Sequence, residues 1–123
     1  MSTTTNTVTW FQLGSNDPAA AKSFYGDLFG WTFFTDPNGG GAYDLFRYAD
    51  GQIPVGGVAH TEDASDNHGM FLVEVADVVA TLAEAERLGG KALTAPITND
   101  SGLVFAYLVD NSGIRFGIFT PAP

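Results

Sequence analysis

Shifted against itself by 60 positions, the sequence places Phe11 on Phe71, Asp17 on Asp77, Ala20 on Ala80, Leu28 on Leu88, Gly30 on Gly90, Asp50 on Asp110 and Gly57 on Gly117, without a gap. A period of this length whose identities fall on turns and helix ends marks one supersecondary unit used twice. The chain of 123 residues has room for one ordinary domain, so the two copies are expected to share it as a single domain spanning 1–123.

Each half reads in the same order. An apolar strand (Val8 to Leu13, or Met70 to Val75) runs into an Asp suited to cap a helix, Asp17 with Pro18 behind it or Asp77. Apolar residues at helical spacing follow, Ala21, Phe24, Tyr25 and Leu28 in one helix and Val78, Leu82 and Ala85 in the other. The helices close at Gly30 and at the pair Gly89-Gly90, and second strands are expected at Trp31 to Thr35 and Lys91 to Ala95. After turn-rich loops (Asp36 to Gly41, Pro96 to Gly102) come strands at Tyr43 to Tyr48 and Leu103 to Val109. The turns Asp50-Gly51 and Asp110 to Gly113 then lead to last strands at Ile53 to Ala59 and Ile114 to Thr120. The fold class is therefore α+β: two tandem βαβββ modules, about 8–60 and 68–120, joined by a polar linker at 61–67.

Composition narrows the function classes. Hydrophobic residues at 45% with ten patterned Phe argue for a packed core rather than disorder. The absence of cysteine removes disulfides, thiolate metal sites and a cysteine nucleophile. A net charge of −9 repels phosphate backbones and anionic membranes, so nucleic acid and membrane are not expected as partners. The polar start of the chain, without an apolar h-region, leads us to expect a cytoplasmic protein. Gly39-Gly40-Gly41 is followed by neither a Lys-Ser/Thr step nor a helix, so it reads as a turn rather than a phosphate cradle.

The segments from Asp17 to Trp31 and from Asp110 to Gly117 resemble the opening helix and the last turn and strand of the vicinal oxygen chelate superfamily, the group of glyoxalase, bleomycin-resistance and extradiol dioxygenase proteins. The resemblance runs from about Val8 to Thr120. It implies that the modules form a cupped eight-stranded sheet with helices outside. It also implies a homodimer and, in many members, a divalent metal held by His, Glu or Gln side chains on the first and last strand of each module.

Counted back from the capping Asp residues, the first-strand ligand positions fall on Trp10 and Met70, and the last-strand positions on Gly57 and Gly117. An indole offers only a donor, glycine has no side chain, and a thioether is a soft ligand, so no ordinary metal site forms from this set. The expected cofactor is none. A competing metal reading uses His60, His68, Gln12 and Glu74, which are suitable element types without a recognisable spacing.

Strand alternation places Gln12 on the face of Trp10, and Met70, Leu72 and Glu74 on one face, with Arg115, Gly117 and Phe119 as their counterparts in the last strand. Trp10, Gln12, Met70, Leu72, Glu74, Arg115 and Phe119 are the candidate ligand-binding residues of an apolar cup. Trp10 meets either a ligand or a dimer partner, and Arg115 either orients a ligand or pairs with one of the many acids. The expected function is metal-free binding of a small aromatic or cationic molecule. The alternative is a glyoxalase-like lyase or isomerase, either metal-dependent or using Glu74 as a general base.

Overall fold

The computed structural model of the protein describes residues 5–36, 43–51 and 53–123, so the glycine run at 39–41 lies outside the described residues. The elements are β1 (Thr7–Ser15), α1 (Pro18–Phe29), β2 (Thr32–Thr35), β3 (Tyr43–Arg47), β4 (Gly56–His60), β5 (His68–Glu74), α2 (Val78–Arg87), β6 (Lys91–Ala92), β7 (Ile97–Thr98), β8 (Val104–Val109) and β9 (Arg115–Thr120). They divide into two compact units, Trp10–Gly69 and the N-terminal residues through Thr9 together with Met70–Pro123. The unit boundaries fall after Thr9 and after Gly69. The start of β1 belongs with the later half, where the Asn6 amide donates to the Glu74 carbonyl at 2.6 Å and Thr9 Oγ1 to Glu74 Oε1 at 3.2 Å.

Within the Trp10–Gly69 unit the strand order is β2-β3-β4-β1, antiparallel except for the parallel pair β1–β4. The other unit repeats it as β6-β8-β9-β5, with β5–β9 as the parallel pair. The parallel registers match, since Gln12 lies opposite Gly57 and Leu72 opposite Gly117.

The helix starts are built alike. The Asp17 carboxylate accepts from the Ala20 amide, and the Asp77 carboxylate from the Ala80 amide, both at 3.1 Å. These bonds satisfy donors that have no partner within the helix. The helix ends differ: Gly30 closes α1 in the left-handed conformation at φ 75°, whereas in α2 that conformation belongs to Gly89 at φ 99°. Thus the left-handed glycines lie 59 positions apart. The third strands are offset in the other direction. Leu45 faces Gly57 while Tyr107 faces Gly117, a separation of 62. An even slip leaves every side chain on its face.

The expected strand Lys91 to Ala95 stops at Ala92, because the amides of Leu93 and Thr94 both turn onto the Tyr107 carbonyl (2.9 and 3.2 Å) and crowd two residues against one. The expected turn Pro96 to Gly102 contains β7, which pairs with β8. The linker is pinned rather than free: the Asn67 side chain joins the Asn16 backbone and side chain, each at 2.9 Å, and accepts from the Thr61 hydroxyl at 2.7 Å.

Each helix covers one side of its own strands. Leu13, Phe46 and Val58 form one core with Tyr25 and Trp31. Val75, Val78, Leu82, Ala106, Leu108 and Ile118 form the other. Among the described residues, no helix is long and apolar enough to cross a membrane. Replacing either capping residue, Asp17→Ala or Asp77→Ala, is expected to lower stability by about 0.5–2 kcal/mol. Urea unfolding checks this as a lower midpoint with an unchanged slope.

Candidate functional site

The strand face opposite α1 begins with Trp10 and Gln12. In parallel strands paired residues share a face, so Gln12 and Gly57 look one way while Leu13 and Val58 look toward the helix. Tyr43 pairs with Ala59, two residues past Gly57, and therefore joins the Gln12 face. Its phenol lies where a side chain at position 57 would stand: a Cβ on Gly57 would collide with the Tyr43 hydroxyl and ring carbons.

These groups make one directed chain of hydrogen bonds. The Trp10 indole Nε1–H donates to Tyr43 Oη at 3.0 Å, and the Tyr43 hydroxyl donates to Gln12 Oε1 at 3.2 Å. Gln12 Nε2 meets His68 Nε2 at 3.1 Å, and His68 Nδ1 meets the Asp66 carbonyl at 2.9 Å. A carbonyl only accepts, so in the neutral ring the proton sits on Nδ1, Nε2 accepts, and the Gln12 amide donates to it. The His68 ring lies flat over Gly14, where a Cβ would strike it. Gln12 is 2% exposed, so these bonds secure a polar group that burial would otherwise penalise.

In the other unit the corresponding glycine is covered by apolar groups. Met70 and Leu72 are buried, and Leu72 covers Gly117, its Cγ 2.7 Å from where a Cβ would be, with Tyr107 Cδ1 at 3.4 Å. Glu74 faces Phe119 across β5–β9 and holds its bond to Thr9. Arg115 is exposed at the start of β9, and among the described residues it forms no ion pair.

The metal positions implied by the family resemblance do not fit a metal. In the Trp10–Gly69 unit, one carries an indole donor and the other is a glycine overlaid by a phenol. In the second unit they are a thioether and a glycine overlaid by leucine. The alternative set fares no better. Gln12 and His68 do meet, but His60 pairs with Ser15 and so lies on the helix-side face of Leu13 and Val58, while the Glu74 carboxylate accepts from the Thr9 hydroxyl. Among the described residues no three His, Cys, Asp or Glu side chains gather as a metal would require.

Sequence reasoning brought Trp10 and Gln12 to one face and grouped His68 with Gln12 only as part of a metal set, but it missed Tyr43 as the partner of Trp10 and Gln12. The available signal was the pair Gly14 and Gly57, side-chain-free positions on that same face. Tyr43→Phe deletes the bonds to Trp10 and Gln12 and is expected to cost about 1–3 kcal/mol. It is also expected to move the Trp10 indole N–H resonance upfield, a proton NMR readout that unchanged packing alone would not produce.

With this geometry in view, the relationship to known proteins is clear. The Glyoxalase/Bleomycin resistance protein/Dioxygenase superfamily matches residues 7–118. The anthracycline biosynthesis protein DauV of Streptomyces sp. (strain C5) is 32% identical over 89% of this chain, and the anthracycline biosynthesis protein DnrV of Streptomyces peucetius likewise shows 32% identity over 89%. The chain spans less than half of these relatives, 45% of each. Among solved structures, methylmalonyl-CoA epimerase from Mycobacterium tuberculosis superposes with a TM-score of 0.67 at 14% identity, covering 100% of this chain and 93% of the epimerase, which establishes a shared fold. The chain belongs to the Glyoxalase/Bleomycin resistance protein/Dioxygenase superfamily.

Proposed function

We propose that this chain is a metal-free, small-molecule-binding member of its superfamily, a single cytoplasmic domain that takes a flat aromatic or cationic ligand on its helix-free strand faces. The observation that carries the reading is the Tyr43 ring over Gly57, hydrogen-bonded to Trp10. Two positions that would present metal ligands instead present an amphipathic aromatic pair, which suits stacking against a planar molecule. Trp10 and Gln12 in one unit, and Met70, Leu72, Glu74, Arg115 and Phe119 in the other, are the proposed contacts. The relatives named for anthracycline biosynthesis favour an aromatic ligand, and the net charge of −9 favours a cation.

The test combines metal and ligand titration of chelator-treated protein. Calorimetry with Ni²⁺, Zn²⁺, Mn²⁺ and Fe²⁺ is expected to give no stoichiometric binding tighter than about 1 μM. A planar aromatic amine such as 9-aminoacridine is expected to shift the Trp10 indole N–H resonance saturably, with at least about tenfold loss of affinity in Trp10→Ala. Tight stoichiometric metal, or an affinity indifferent to Trp10→Ala, sinks the reading. The second reading is a metal-free lyase or isomerase with Glu74 as general base. It draws on the buried apolar Met70 and Leu72 beside Glu74 on its face of β5, and it requires turnover that disappears in a folded Glu74→Gln variant.

We also infer a homodimer. Helix α1 buries none of its residues and leaves Phe24 60%, Leu28 58% and Phe29 52% exposed, an apolar surface of the kind a second copy covers. Sedimentation is expected to give the dimer mass for the native chain and the monomer mass for Phe24→Asp/Leu28→Asp. A monomer throughout about a hundredfold range of concentration contradicts it.

A further inference from the structure

The two units are built alike but filled differently at one place, the junction of helix C-terminus and third strand. In the Trp10–Gly69 unit, the residue after the left-handed Gly30 is Trp31. Its indole lies nearly parallel between Tyr25 (5.5 Å, 9°) and Phe46 (4.9 Å, 10°) and is flanked by Phe29 at 5.3 Å and Tyr48 at 5.6 Å. Five aromatic rings thus occupy the space between α1 and β3.

Strand pairing identifies the counterparts in the other unit. Phe46 faces Phe33 and Gly56, as Leu108 faces Ala92 and Phe116. The residue after the left-handed Gly89 is Gly90, so Trp31 has no side chain as its equivalent. Ala85 stands as far from its capping Asp as Tyr25 does, Leu88 precedes the left-handed glycine as Phe29 does, and Asp110 follows Leu108 at the spacing of Tyr48. Where the rings would be there is a cleft of about 270 Å³, lined by Ala85, Leu88, Gly90, Leu108, Asp110 and Phe116 among others.

The chain does not readily close this space itself. A Cβ on Gly90 would lie 2.6 Å from the Val109 carbonyl oxygen and 3.2 Å from that of Ala85, both backbone atoms that cannot swing aside. Leu88 is left 60% exposed as one apolar wall, and Phe116, stacked on Phe71 at 5.5 Å, supplies a ring as another. The rim is negative. Asp110 Oδ1 accepts from the Ile114 amide (3.0 Å) and from the Ser112 amide and hydroxyl (2.8 and 2.9 Å), bonds that hold its carboxyl below the ordinary carboxylate range and keep it ionised near neutral pH.

We propose that this cleft binds one flat aromatic ring system, neutral or cationic, which takes the place that the Trp31 indole holds in the other unit. The cleft's size is near the lower end of small-ligand sites, roughly 300–1,000 Å³, so a mono- or bicyclic ring is the fitting guest. The site lies on the helix side of β8 and β9 and does not depend on the strand-face reading above.

Indole, tryptamine and indole-3-acetate serve as probes, followed by amide NMR of the full chain. Indole and tryptamine are expected to move the amides of Ala85, Leu88, Gly90 and Asp110 saturably, with a Kd of about 1 mM or tighter. Indole-3-acetate should bind more weakly because of the Asp110 charge. Ala85→Phe places a ring in the cleft and is expected to abolish these shifts, while Leu88→Ala removes a wall and weakens binding about fivefold or more. Absent or non-saturating shifts, shifts that survive in folded Ala85→Phe, or tighter binding of the acetate each overturn the proposal. If Ala85→Phe does not fold, an unchanged affinity in Leu88→Ala overturns it instead. Movement of the same amides on dilution without any probe means that a second copy fills the cleft, and that result too rejects a small-molecule site.

Discussion

The parallel pairing of the first and last strand in each unit, with glycine on the last strand at the decisive register, is the constraint on which the rest of the structure hangs. Gln12 faces Gly57 and Leu72 faces Gly117. A neighbouring side chain can lie flat across the backbone there only because no Cβ projects from either glycine. In one unit the covering group is the Tyr43 phenol, which draws in Trp10 and Gln12 by hydrogen bonding. In the other it is Leu72 with the edge of Tyr107, an apolar cover without a hydrogen-bonding group over the glycine. One backbone arrangement thus gives two surfaces of different chemistry. The choice is made by which strand supplies the covering residue.

Much of this was legible in the sequence, and the reasons are local. Asp17 and Asp77 announce helix starts because a short acceptor before an apolar-periodic run has one obvious use, and both caps form. Trp10 and Gln12 share a face because strand period leaves no other choice. The ungapped offset of 60 holds for the capping residues and the parallel registers, but not between them. The pair Gly89-Gly90 offers two sites for the left-handed residue, and packing selects the earlier. The slip of two positions in the third strands is invisible to sequence periodicity, since it changes no side chain's face. Tyr43 as a partner of Trp10 was also out of reach. It depends on a cross-strand pairing between segments 33 residues apart, and composition describes Tyr43 only as a strand aromatic.

One backbone plan filled with different side chains explains why the two cores look unlike each other. One unit places its bulk on the helix, just after the helix-closing glycine and on the third strand, as Tyr25, Trp31 and Phe46, and keeps glycine at position 56, where a Cβ would meet the Phe46 ring. The other places its ring on the last strand, as Phe116, and carries the smaller Leu108 and Ala85 opposite. The first fills the junction of helix and third strand with rings, whereas the second leaves the cleft bounded by Ala85, Leu88, Gly90 and Phe116. The second leaves helix α2 able to bury Val78 and Leu82, whereas α1, propped on aromatic rings, buries no residue of its own.

The same exclusion governs the metal question. An imidazole or carboxylate on residue 57 and the Tyr43 phenol cannot occupy one volume. Restoring a ligand at 57 would displace Tyr43 and remove the acceptor that Trp10 and the donor that Gln12 now use. Restoring one at 10 would remove the indole that holds Tyr43 down. A ligand side chain at these positions and the hydrogen-bonded aromatic pair therefore exclude one another. This face presents ring surface and oriented dipoles where a ligand side chain would stand.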